Sequence, residues 1–227
     1  TEVYGKDELR RFFFFCRAVF EILPKLDWQP EVVHCHDWHT ALIPLWLKRN
    51  DYRYASIFTI HNLAYQGFFD RSFWADFGLE EDWQSCPAGA PEPPLNFVSQ
   101  GILWADIVST VSETYAREIL TPEYGEGLDH LLRYRAEKLF GIVNGLDYEE
   151  YNPATDLVIP AKYDASTLDK RITNKIALQK RVGLPENAEI PLIGMVSRLD
   201  EQKGLDIVTE SLASLFLSVG AQMVILG

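Results

Sequence analysis

Residues 190–206 read IPLIGMVSRLDEQKGLD: an apolar run over 190–196, closed by Ser197, then Arg198 and Lys203, and then Gly204. A short, branched apolar run bounded by polar residues predicts a buried parallel strand. Beyond Gly204, apolar Ile207, Val208, Leu212 and Leu215 recur at helical spacing, so the stretch predicts strand, polar loop and helix. A helix N-terminus presents free N–H groups and the positive end of its dipole, which makes such a loop a place for an anion. Arg can grip two phosphate oxygens with its planar fork, and Lys adds a compact point charge. Basic residues are common in the βα loops of α/β proteins, so this pair defines a site only together with the rest of the chain.

The 227 residues carry 21 Lys and Arg against 33 Asp and Glu, a net charge of −12. That balance argues against nucleic acid or an anionic membrane as partner, because little here would replace the counterions of a polyanion. No apolar segment is long enough to span a bilayer, and the FFFF of 12–15 is fenced by Arg10, Arg11 and Arg17. Cys16, Cys35 and Cys86 are odd in number and lack metal-ligand spacing, which points to a reducing compartment rather than a disulfide framework. The chain starts at Thr1 and stops at Gly227, directly after the apolar run 223–226, so a piece of a longer protein is expected.

Working outward, residues 7–23 predict a helix closed by Pro24. Strands are expected at 31–36 and 55–60, the first ending in His34-Cys35-His36-Asp37-Trp38-His39 and the second in His61-Asn62. A helix over 41–48 separates them. Two successive βα units thus place His and polar groups at the carboxyl ends of strands, where open parallel sheets bind ligands. Residues 80–94, with Gly89 and four prolines, form a loop. Further on, a helix is expected over 96–105, a strand over 107–111 and a helix to Leu120 capped by Ser112. A strand over 139–143 ends in Asn144-Gly145-Leu146-Asp147, and a linker follows over 152–162. A basic amphipathic helix over 167–182, C-capped by Gly183, leads to the opening strand. This alternation predicts α/β architecture with doubly wound, Rossmann-like sheets: one domain over 1–156 lacking its first unit, and a second begun over 157–227.

The run His34-x-His36-Asp37-x-x-His39 invites comparison with metallo-β-lactamase-type hydrolases, whose His-x-His-x-Asp-His spacing it meets only loosely. Only His61 and His130 remain to complete a shell, so no metal site is expected. His34 and His36 point to one face of their strand, where either can serve as a core histidine. His61, preceding Asn62-Leu63-Ala64-Tyr65-Gln66-Gly67, makes a polar end to an apolar strand, and Tyr65 and Gln66 are candidate substrate contacts. Among the aromatics Trp38, Trp46, Tyr65, Trp74, Trp83 and Trp104, most are expected in the core and some could stack on sugar rings.

Taken in order, HCHDWHT, TIHNLAYQG, TVSETYAREI, YGEGLDHLLRYR, GIVNGLDYEEYNPATD and SRLDEQKGLD resemble the bacterial and plastid glycogen/starch synthases of glycosyltransferase family 5. The resemblance covers nearly the whole chain. It implies a GT-B fold, two Rossmann-like domains facing across a cleft. It also implies retaining transfer of glucose from ADP-glucose to the non-reducing end of an α-1,4-glucan, with no metal or other cofactor, in a bacterial cytoplasm or plastid stroma. On this resemblance Arg198 and Lys203 hold the donor diphosphate, His61 lies beside the donor glucose, Asp37 lies near the reacting centre and Asn144 orients the glucosyl group.

Asp37 could instead fix a histidine tautomer, and covalent attack and acceptor entry on the leaving-group face both stay open. The family's Lys-x-Gly-Gly-Leu loop and its later acidic motif are absent, and where members commonly read Asn-Phe-Leu-Lys this chain has Asn96-Phe97-Val98-Ser99. Other readings are a related GT-B transferase with another donor or acceptor, such as a sucrose-type synthase, and a non-catalytic glucan-binding protein on the same fold. A two-domain site also implies that residues 1–227 alone give no glucosyl transfer.

Overall fold

A computed structural model describes residues 7–78 and 87–227. The chain divides into two compact units, Thr1–Gly145 and Leu146–Gly227, a division ahead of the boundary expected at residue 156.

The first unit opens with helix α1 (Glu8–Ile22), which passes into a 3-10 turn at Leu23–Lys25 containing Pro24. The phenylalanine run is split by helical geometry. Phe12 packs edge-on against Trp38 with ring centroids 4.9 Å apart, and Phe13 meets Trp46 and Phe77, while Phe14 and Phe15 face solvent. Strands β1 (Val32–His36), β2 (Ala55–Ile60), β3 (Ile107–Thr110) and β4 (Leu139–Gly141) form one parallel sheet in chain order. With right-handed crossovers, an order that never reverses puts the connecting helices on a single face. Those connections carry α2 (Asp37–Thr40), α3 (Leu42–Arg49), α4 (Arg71–Asp76), α5 (Phe97–Trp104), α6 (Glu113–Glu118) and α7 (Asp129–Tyr134). α3 packs on α1 and on α5. Cys35, Phe58, Ile60 and Val108 of the sheet join Leu42, Leu45, Ile102 and Leu131 in the core.

Several elements differ from expectation for local reasons. The single helix expected over 41–48 begins earlier and is split at Ala41, since Thr40 turns back to bond the backbone of His36. β4 stops at Gly141, two residues short of the expected end, because only Val108, Ser109 and Thr110 stand opposite it. α4 was not anticipated; it is capped by Asp70, whose carboxylate accepts from Phe73 N at 3.0 Å. The expected cap at Ser112 forms, accepting from Tyr115 N, and Asn96 caps α5 in the same way, accepting from Ser99 N. Ser99 is buried in the first turn of α5, its hydroxyl donating to the Asn96 carbonyl at 2.7 Å. The part of the 80–94 loop up to residue 86, with Trp83 and Cys86, lies outside the described residues.

In the second unit a 3-10 turn at Leu168–Lys170 precedes α8 (Arg171–Arg181), and Gly183 follows with φ of +72°. β5 (Leu192–Val196) pairs in parallel with β6 (Gln222–Leu226), joined by α9 (Leu205–Ser214) and a π-turn. Gln179 of α8 is buried. Its Nε2 donates to Asn187 O and Gln222 Oε1, and its Oε1 accepts from Asn187 N. Each polar atom of this lock is thus satisfied without water.

Gly101 of α5 tests the helix-on-sheet contact. A Cβ there would stand 2.7–2.8 Å from ring atoms of Phe58, which is itself fully buried. Gly101→Ala should therefore lower stability by about 1–3 kcal/mol through overpacking, read as a lower urea midpoint at unchanged m-value. An unchanged midpoint would remove this contact from the core.

Candidate functional site at the carboxyl ends of the strands

β1 and β2 are neighbours in parallel register, His36 opposite Thr59, so their carboxyl ends lie side by side. The first residue past β1, Asp37, takes a left-handed φ of +52°, a conformation that Asp tolerates better than most residues. Its Oδ1 accepts from the backbone N–H of His61 at 2.8 Å and, more weakly, from that of Asn62 at 3.4 Å. The carboxylate thus ties the end of β1 to the loop after β2. The tautomer-fixing alternative for Asp37 does not describe this contact, which is to the backbone of His61 and not to its ring. Asn62 continues the turn by accepting from Ala64 N, and the Tyr115 hydroxyl accepts from Leu63 N.

Strand alternation puts His34 and His36 on one face of β1, and Thr59, with His61 two residues on, on the same face of β2. His36 Nδ1 and His61 Nε2 are 3.0 Å apart, one donating to the other. The rings of His34 and His36 lie 4.1 Å apart between centroids. His34 Nε2 is 2.7 Å from Thr59 Oγ1, which is in turn 2.6 Å from Ser109 Oγ on β3. Burial and the neighbouring His34 and His61 hold His36 below the ordinary imidazole range, against the pull of Asp37. His39 stands apart from this group. Its ring lies between Phe12 and Trp38, its carbonyl accepts from Cys16 Sγ, and burial lowers its pKa. Among the described residues no group of three or more His, Cys, Asp or Glu is placed to hold a metal ion.

Tyr65 and Gln66 part company. Tyr65 is 47% exposed and lines a cleft of about 480 Å³ with Arg10, Trp38 and Phe68. Gln66 is 3% exposed, with both amide atoms used inside the fold: Oε1 accepts from Asn96 Nδ2 at 2.7 Å and Nε2 donates to Glu126 O at 2.9 Å. Its backbone carbonyl also accepts from Phe97 N and Val98 N. A substrate contact through that amide, as expected from the sequence, would have to break bonds that hold α5 to the loop. Asn144, exposed, lies three residues past the carboxyl end of β4, the strand at the opposite edge of the sheet from β1.

In the second unit, Ser197 N donates to Leu226 O and prolongs the pairing of β5 with β6. Arg198 follows, 69% exposed, with Nη2 3.5 Å from Asp200 Oδ2. Lys203 ends a 3-10 turn, Glu201–Lys203, and is exposed. Gly204, at φ of +72°, turns the chain into the ten residues of α9. The expected strand, basic loop and helix N-terminus are all present. The structure thus gathers Asp37, His61 and the unforeseen partner His36 in one unit, and Arg198 and Lys203 in the other.

Parallel α/β units with polar and basic groups at the carboxyl ends of their strands define the class as α/β with Rossmann-like sheets, the kind of unit from which a GT-B glycosyltransferase fold is built. Residues 1–134 match the family described as starch synthase catalytic domain, and the chain belongs to that family. It is 46% identical over 227 residues to a glycogen synthase of Geotalea daltonii, covering 97% of this chain and 47% of the relative. It is 47% identical to glycogen synthase 2 of Geobacter sulfurreducens, with the same coverage. Among solved structures, the catalytic domain of starch synthase IV from Arabidopsis thaliana, bound to ADP and acarbose, superposes with a TM-score of 0.85 at 35% identity. That match covers 100% of this chain and 48% of the other. The chain spans about half the length of the curated relatives it matches.

The contrast between Tyr65 and Gln66 is measurable in the chain. Gln66→Ala should cost about 1–3 kcal/mol in urea unfolding, because it strands the Asn96 amide and the Glu126 carbonyl. Tyr65→Ala should stay within about 0.5 kcal/mol of the parent, as an exposed position. Equal effects at both positions would reverse the assignment of Gln66 to the fold.

Proposed function

We propose that this chain forms part of a retaining glucosyltransferase that moves glucose from ADP-glucose to the non-reducing end of an α-1,4-glucan. The observation that carries the reading is the βα loop of the second unit, with Arg198 and Lys203 exposed at the start of α9, in a chain of this family. The names of its relatives and the ADP and acarbose of the Arabidopsis structure agree with it.

The chemistry asks for charge on both sides of the breaking bond. As the glucosyl–phosphate bond lengthens, negative charge gathers on the leaving diphosphate and positive charge on the anomeric carbon. In this reading Arg198 and Lys203 take the first, with the N–H groups of α9 behind them. These two cations supply the charge neutralisation that a metal ion gives in other transferases, so the proposal includes neither metal nor other cofactor. Asp37, His61 and Asn144 attend the glucosyl group, Asp37 bringing the carboxylate that suits developing positive charge. Tyr65 offers an exposed ring for a sugar. Nucleic acid and membrane have no part in the proposal; the net charge is −12 and no helix among the described residues is long and apolar enough to cross a membrane. The compartment proposed is a bacterial cytoplasm or plastid stroma. Cys16 and Cys35 are free, and burial pushes both thiols up to about 12.

The test uses the natural full-length protein and a labelled-donor assay. Transfer to glucan should be faster from ADP-glucose than from UDP-glucose, and Arg198→Ala and Lys203→Ala should each lower turnover at least about tenfold. Transfer to fructose in place of glucan would mark a sucrose-type synthase. Binding of glucan without turnover would mark a non-catalytic protein, and parental rates in both variants would remove the anion site.

A further inference from the structure

The proposed reaction uses Asp37 and His61 but leaves their closest polar neighbour, His36, without a task. We propose that His36 is a positioning residue for His61: the contact between His36 Nδ1 and His61 Nε2 sets the tautomer and orientation of the His61 ring. His61 then offers Nδ1 to the bound glucosyl group. This rests on the glucosyltransferase reading for its consequence in turnover, though not for the contact itself.

A histidine ring fixed at one nitrogen presents a defined donor or acceptor at the other. His61 lies beyond the end of β2, where no strand ladder orients it, and its backbone is held by Asp37 Oδ1 at 2.8 Å. That contact leaves the imidazole free to rotate and to exchange tautomers. The 3.0 Å contact with His36 restrains the rotation and makes the protonation of His61 Nε2 complementary to that of His36 Nδ1, so the tautomer of one ring sets that of the other. His36 is equipped for this task because its backbone is fixed at both N–H and C=O and its ring packs on His34. Its N–H donates to Thr40 Oγ1 at 2.6 Å and its carbonyl accepts from the same hydroxyl at 2.8 Å. Its ring lies against His34, which reaches the buried hydroxyls of Thr59 and Ser109. A rigid chain of polar groups therefore runs from β3 through β2 and β1 to His61. His36 contributes no comparable packing: it is exposed, while the apolar side of β1 is occupied by Cys35.

The experiment compares His36→Ala with His36→Asn in the natural full-length protein; Asn places a polar atom close to where Nδ1 stands. The Ala variant should lose about tenfold or more in kcat with KM for ADP-glucose changed by less than about threefold, the pattern of a displaced reacting-centre group. The Asn variant should recover most of that loss. Ring-nitrogen NMR of labelled histidine should show His61 as one tautomer in the parent and an average of two in the Ala variant. Parental kcat with unmoved His61 ring signals in the Ala variant would overturn the proposal, as would equal impairment of Asn and Ala. Should the Ala variant unfold, the Asn variant and the parental tautomer decide. Absence of any glucosyl transfer by the parent would count against the function alone, since the ring signals still test the pairing.

Discussion

The bond from the backbone N–H of His61 to the carboxylate of Asp37 holds the candidate site of the first unit together. Parallel strands are joined by crossovers and not by tight turns, so nothing in the connection itself aligns the end of one with the end of the next. Asp37 adds a tie across the two strand ends, beyond the last paired residues His36 and Thr59. Its left-handed backbone turns the carboxylate toward the neighbouring strand end, and the histidine group assembles on the alternation that follows.

The surrounding core explains why these ends are rigid. The face of the sheet that carries the helices is filled by aliphatic and aromatic side chains, with Phe12, Phe13, Trp38 and Trp46 meeting edge to face. Several polar groups buried in it are paired in compact locks, Gln66 with Asn96 and the Glu126 carbonyl and Thr110 with the Ile60 carbonyl, and in the second unit Gln179 pairs with Gln222. Buried and satisfied, such groups specify one arrangement, because any other would leave a donor or acceptor without a partner. Ser99 belongs to the same pattern; its hydroxyl closes the first turn of α5 by donating to the Asn96 carbonyl.

Charge is distributed differently in the second unit. Arg198 and Lys203 lie exposed around a short loop, with Asp200, itself half-buried, as a weak partner of the arginine at 3.5 Å. An exposed pair of this kind contributes little to stability, so its cations remain available to a stronger anion.

Local features of the sequence determined much of this. Apolar runs of strand length, caps at Asn96 and Ser112, glycines past helix ends and the basic loop before α9 all follow from interactions within a few residues, and all appear in the structure. The placing of His34, His36 and His61 at strand ends was legible too, and the spacing of two in β1 showed that His34 and His36 share a face. What the sequence did not disclose was partnership. That His61 is met by His36 on its ring and by Asp37 on its backbone, and that Gln66 bonds Asn96 at the start of α5, depends on the register of separate strands and on the path of a long loop. Register between parallel strands is set by the packing of the intervening helices, an interaction between residues far apart in the chain, and only the tertiary structure decides it.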